Sequence, residues 1–183
     1  WPRRALLAWL AAGALPARAQ QAVQRPLVFP RDHGAHPEFG IEWWYVTGWL
    51  QREDTSGGTP AFGFQLTFFR SRTGLAENID SRFAARQLLF AHAALSDVAE
   101  RRLLHAERLT RWNGDARAPR AAAALDDTRV HIGDWQLERN GAAYAARWGD
   151  QAADFALALA LTPTQPLLLQ GAQGFSRKGP QPS

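Results

Sequence analysis

Hydrophobic and polar residues alternate with a period of two along several stretches of this chain, and such alternation predicts β-strands. Residues 61–70 are the clearest case: Phe62, Phe64, Leu66 and Phe68 share one face, and Gly63, Gln65 and Thr67 the other. Residues 153–162 set Phe155, Leu157, Leu159 and Leu161 against alanines. Residues 41–50, IEWWYVTGWL, are rich in aromatic and β-branched side chains, which favour a pleated, half-buried strand. Further strands are predicted at 88–97, 103–112, 130–139, 142–148 and 167–169, with Asn140-Gly141 turning one hairpin. Residues 51–60 carry Gly57-Gly58 and Pro60 and make a turn between the first two strands. Residues 71–86 read as a long loop or a short helix, and 114–127 as a low-complexity Ala/Arg/Asp loop. The result is seven or eight antiparallel strands with turns spaced as in a sandwich or barrel. The fold class is all-β: an antiparallel barrel or strongly bent sheet.

The best helical run lies at the start and belongs to an export signal. Arg3 and Arg4 form a charged beginning, residues 5–15 an apolar run, and Ala17-Arg18-Ala19 an A-x-A cleavage site before Gln20. The apolar run is too short to span a bilayer as a helix. Residues 1–19 are therefore expected to be a signal peptide, which places the mature chain outside the cytoplasm, in the bacterial periplasm or beyond. No transmembrane anchor is expected in the mature chain. Residues 20–37, with Pro26 and Pro30, form an extended lead-in, and 38–170 the β-domain. Residues 171–183 are glycine-rich and read as a linker toward a second domain.

Charge and composition then narrow the function. Of 21 Lys and Arg, three (Arg3, Arg4, Arg18) lie in the leader, which leaves 18 against 17 acidic residues. A nearly neutral mature protein offers no electrostatic footprint for nucleic acid. There is no cysteine, which excludes disulfides and thiolate chemistry. No G-x-S-x-G elbow, phosphate loop or dinucleotide fingerprint occurs.

The chemistry concentrates at residues 32–50. Asp32, His33, His36, Glu38 and Glu42 crowd into one loop and the strand it enters. Zinc or iron accepts such ligands, but the spacing is not a tight metal signature and no helix sets an H-E-x-x-H geometry, so no metal is expected. Asp32, His33 and Glu42 are the candidate acid–base residues. Glu42 stands beside Trp43 and Trp44, and a carboxyl group desolvated by indoles becomes a candidate acid. It reads equally as a structural partner of an arginine or of a histidine from the preceding loop. Which of Trp43 and Trp44 faces the core is open, since successive strand residues point to opposite faces. The eight tryptophans fill either a barrel core or an aromatic pocket for a long apolar ligand. The candidate ligand-binding residues are Trp43, Trp44, Tyr45, His36 and His92. Glu107, Arg108 and Arg111 are expected to form an ion-paired strand face.

Several runs carry a resemblance: Asp32-His33-Gly34-Ala35-His36-Pro37, then Glu42-Trp43-Trp44-Tyr45-Val46-Thr47-Gly48, Phe64-Gln65-Leu66-Thr67-Phe68-Phe69-Arg70, Ala91-His92-Ala93-Ala94-Leu95-Ser96-Asp97 and Gly174-Phe175-Ser176-Arg177-Lys178-Gly179. They resemble the AttH-like, carotenoid 1,2-hydratase (hydroxyneurosporene synthase) family of secreted lipocalin-like proteins, often labelled predicted secreted hydrolases. The resemblance implies two lipocalin-like β-domains in tandem, of which this chain matches the first, with a C-terminal β-domain to follow. It implies an apolar, isoprenoid or lipid-like ligand and no cofactor. Where members are hydratases, a carboxylic acid protonates a terminal double bond and water captures the cation. That acid falls in the second half, so this half alone is expected to be inactive. The alternative is a periplasmic carrier without catalysis, associated with an export system.

Overall fold

The computed structural model describes residues 25–51 and 61–175. The predicted signal peptide at 1–19, the turn at 52–60 and the end of the linker at 176–183 lie outside the described residues. Two antiparallel sheets carry the fold. The first is β1 (Ile41–Leu50), β2 (Phe62–Arg72), β3 (Gln87–Asp97) and β4 (Arg102–Trp112), in that order. The second is β5 (Ala121–Ala123), β6 (Arg129–Ile132), β7 (Trp135–Asn140), β8 (Ala143–Asp150) and β9 (Phe155–Leu161). One 3-10 turn, Arg31–His33, precedes β1. The all-β expectation stands. Among the described residues no strand pairing joins the two sheets into a closed barrel. No helix there is long and apolar enough to cross a membrane.

The inward faces follow the alternation. Leu66, Phe68, Leu89 and Ala91 are fully buried in the first sheet, and Val130, Trp135 and Trp148 meet them from the second. Phe64 of β2 and Trp148 of β8 touch across the gap, ring centres 5.9 Å apart. Burying a large apolar side chain contributes roughly 1.5–3 kcal/mol, so these rings fix the sandwich. Trp112, Trp135 and Trp148 are core residues, which answers half of the tryptophan question.

Five details differ from the sequence expectation. The predicted strand 130–139 is two strands, turned at Gly133-Asp134, where Gly133 takes φ +62°. A glycine at the first of two loop positions is what a tight hairpin requires. The next hairpin turns on Gly141-Ala142, one residue later than expected. The loop 114–127 contains β5, whose alanines carry little strand propensity and are placed by packing. Residues 167–169 form no strand: Pro163 and Pro166 lack the N–H groups a ladder needs, and Leu168 is exposed. Glu107 and Arg108 do not share a face. Being consecutive in β4 they point oppositely. Glu107 faces His92 at 3.7 Å, while Arg108 turns inward to Asp134 and lies over the Trp135 ring.

Candidate functional site

The lead-in loop and the start of β1 build one polar cluster. Asp32 sits in the 3-10 turn, its side chain fully buried. It accepts from both terminal nitrogens of Arg25 at 2.7 and 2.6 Å, from Arg31 at 2.8 Å and from the Val28 N–H at 2.6 Å, and it faces His36 Nε2 at 3.0 Å. The Arg25 guanidinium holds its carboxyl far below the usual carboxylate range, helped by Val28 and His36 and opposed by burial. Asp32 is thus the hub that folds residues 25–36 back on themselves.

His36 bridges to the second carboxylate. Its Nδ1 lies 2.6 Å from Glu42 Oε1, and its backbone N–H donates to both Glu42 oxygens at 2.9 and 2.8 Å. Each ring nitrogen faces a carboxylate oxygen, and both can donate only when the imidazole carries both ring protons. Glu42 also accepts from Arg70 Nε at 2.5 Å. The strand register explains this pair: Glu42 of β1 lies directly opposite Arg70 of β2, on the same inward face. Arg70 is fully buried and spends its other donors on Gln87 Oε1 at 2.6 Å and the carbonyls of His36 and Phe39 at 2.9 and 2.7 Å. Glu42 and Trp44 therefore face inward and Trp43 and Tyr45 outward.

The same loop latches onto the second sheet. The His33 carbonyl accepts from Trp44 Nε1 at 3.0 Å and from Thr128 Oγ1 at 3.1 Å. Ala35 N–H donates to the Ala124 carbonyl at 2.7 Å. The His33 ring packs on Phe29, and burial, then Arg139, pushes its pKa down.

The candidate residues thus fall into two groups. Asp32, His36, Glu42 and Trp44 are brought together inside; His33 joins through its backbone, with its ring turned elsewhere. Trp43, Tyr45 and His92 lie on the outer face of the first sheet, where His92 is near Phe69 and Phe90. Arg25, Arg70 and Gln87 belong to the cluster and were not singled out as site residues. Arg70 carried a signal: it occupies the next inward position after Phe64, Leu66 and Phe68, and a charge on an apolar face needs a buried partner. Among the described residues no three His, Asp or Glu side chains converge as a metal-ligand set.

A cavity of about 630 Å³ adjoins the cluster, lined by Arg25, Leu27, His36, Phe39, Leu169 and Phe175 among others. Gly174 forms part of its wall with φ +91°, and a Cβ there would stand 2.6 Å from Leu27 Cδ1. A larger cavity, about 930 Å³, lies at the β8–β9 turn, but Arg108, Asp134, Arg147, Asp150 and Asp154 ring it.

The ion pairs set an acid limit. A carboxyl with a depressed folded pKa stabilises the fold above its unfolded pKa of about 3.9, and that stability is lost as pH falls below it. Asp32 is such a group. The urea midpoint is expected to fall between pH 6 and pH 3, and Asp32→Asn to be less stable at pH 6 with a flatter acid limb. An unchanged acid limb in the variant would remove Asp32 from this role.

Comparisons with known proteins now bear on this geometry. The AttH-like family model matches residues 20–183. No curated protein matches the chain. A crystal structure from Nitrosomonas europaea that carries the name AttH is 44% identical, with a TM-score of 0.71, over 89% of this chain and 46% of that one. The chain thus spans less than half the length of that relative. With the family model covering all but its first 19 residues, and the loop-and-strand cluster seated in a two-sheet β fold, the chain belongs to the AttH-like family.

Proposed function

We propose that this chain is the first half of an exported, lipocalin-like binding protein that holds a long apolar, isoprenoid or lipid-like ligand, and that its own carboxylates position the pocket without catalysing a reaction. One observation carries this reading. Asp32 and Glu42, the carboxylates bonded to the cavity-lining Arg25 and His36, are both saturated with cationic and N–H donors. A general acid needs a proton to give, and a carboxylate encircled by donors holds none. The cavity itself suits a ligand. Its volume of about 630 Å³ falls in the usual range for small-molecule sites, its walls are mostly apolar, and Arg25 and His36 supply polar ends. Acid-catalysed water addition, as in the hydratases the sequence resembles, requires a proton donor from outside this cluster.

The test uses cis-parinaric acid, a fluorescent long-chain polyene. Saturable binding is expected, and Leu169→Arg, which sets a charge in the cavity wall, is expected to weaken it about ten-fold, equivalent to ~1.4 kcal/mol. No saturable binding, or binding indifferent to Leu169→Arg, rejects the site. Hydration of a linear carotenoid by the purified chain rejects the non-catalytic reading.

A further inference from the structure

The outward face of the first sheet departs from the usual arrangement in β1 and along one row that crosses the sheet. A sheet with one face in solvent normally places apolar residues inward and polar ones outward. In β1 the outward set is Ile41, Trp43, Tyr45, Thr47 and Trp49, more aromatic than the inward Glu42, Trp44, Val46, Gly48 and Leu50. Trp43, Tyr45 and Trp49 are 49–60% exposed.

The register extends this surface across the sheet. Trp43, Phe69, Phe90 and Leu109 form one unbroken row over all four strands, and the Phe69 and Phe90 rings stack at 4.6 Å. Leu109 and Leu103, at the far edge, are 70% and 61% exposed. The outward positions of β1, β2 and β3 carry no Asp, Glu, Lys or Arg. Glu107 and Arg111, the charges nearest them, stand on β4. A contiguous apolar patch of this kind marks an interaction surface, and its lack of charge calls for an equally uncharged counterpart.

We propose that this face docks the remaining half of the same polypeptide. The inference rests on the two-half reading given above, and the length of the solved relative names the occupant. That protein is 44% identical here, yet this chain accounts for 46% of it, so a segment of similar size remains to be placed against the first half. The row from Trp43 to Leu109 is then the centre of the contact, where large, rigid aromatic side chains contribute most of the binding energy. The inward cluster of Asp32, His36, Glu42 and Arg70 lies on the opposite side of the sheet, so docking does not occlude the ligand cavity.

The test is side-chain oxidation of the full-length gene product, read residue by residue. Expected is loss of labelling at Trp43, Tyr45 and Trp49 to the level of Trp135 and Trp148, which are 0% and 1% exposed, while Phe83, 65% exposed in the loop between β2 and β3, is labelled. A reading frame that stops at Ser183 overturns the two-half reading itself. A frame that continues, with the three residues labelled as freely as Phe83, overturns the docking inference alone. Protection that disappears on dilution assigns the face to a second copy of the chain and also overturns it.

Discussion

Arg70→Met is expected to destabilise the protein by about 3–5 kcal/mol, the range for breaking a buried ion pair by removing one partner. The guanidinium is fully buried and bonds Glu42, Gln87 and two backbone carbonyls. Methionine fills similar space but leaves the Glu42 carboxylate, 12% exposed, without its cation. Replacing both ends, Glu42→Leu with Arg70→Met, is expected to return part of the loss, because no lone charge then remains inside. Full recovery is not expected, since the His36 N–H and Nδ1 also depend on Glu42. Glu42→Gln separates structure from chemistry. As a partner of Arg70 it is expected to cost about 1–3 kcal/mol. A protonated acid would tolerate the same change with stability nearly intact. Urea unfolding of the four proteins measures all of this, and an Arg70→Met loss below 1 kcal/mol would show that the pair carries little.

Gly34→Ala is expected to destabilise by about 1–3 kcal/mol, the range for forcing extra volume into a packed site. The backbone at Gly34 is ordinary, with φ −81°, so conformational strain is not the cause. The cause is proximity. A Cβ at residue 34 would stand 2.7 Å from the Leu125 carbonyl carbon, 2.8 Å from its oxygen and 3.0 Å from the Ala124 oxygen. These are backbone atoms and cannot swing aside. To admit the methyl group the loop must lift, stretching the Ala35-to-Ala124 bond and the contact of Thr128 with the His33 carbonyl. Gly40→Ala is the control, since a Cβ there meets nothing within 4 Å. Thermal unfolding should shift for the first variant and hold for the second.

Most strands could be read from the sequence because their inward and outward residues differ in kind. β1 matches its predicted bounds, and β2, β3, β4 and β9 fall within a few residues of theirs. β5 could not be read, since Ala121–Ala123 owe their place to the sheet beside them rather than to their own preference. The split between β6 and β7 was readable in Gly133-Asp134, a pair of hairpin type. At the site, the loop and strand that meet were identified, and so was the alternative of Glu42 paired with an arginine or with a histidine of the loop; the structure gives it both. Its orientation was not fixed, because IEWWYVTGWL is apolar on both faces. Cross-strand register decides it: Arg70 lies inward beyond Phe68, and Glu42 opposite must follow. Arg25 escaped notice because a surface arginine in a proline-rich approach looks like any other; only the fold of the 3-10 turn brings it to Asp32.

The latch between the lead-in loop and the second sheet also orders events in time. The His33 carbonyl waits for Thr128, 95 residues later, and Ala35 for Ala124. Closing so long a loop costs entropy before any contact is gained, and non-local contacts slow folding. The hairpins of the first sheet, by contrast, join neighbours in sequence. A chain emerging from its amino end can therefore zip β1 to β4 together, and seat His36 on Glu42 and Arg70, while the bonds of His33 and Ala35 to the second sheet are still open. Those bonds close once Ala124 and Thr128 have arrived. The apolar cavity beside His36 is walled later still, by Leu169 and Phe175 beyond β9, so ligand capture belongs to the finished protein and to no earlier intermediate.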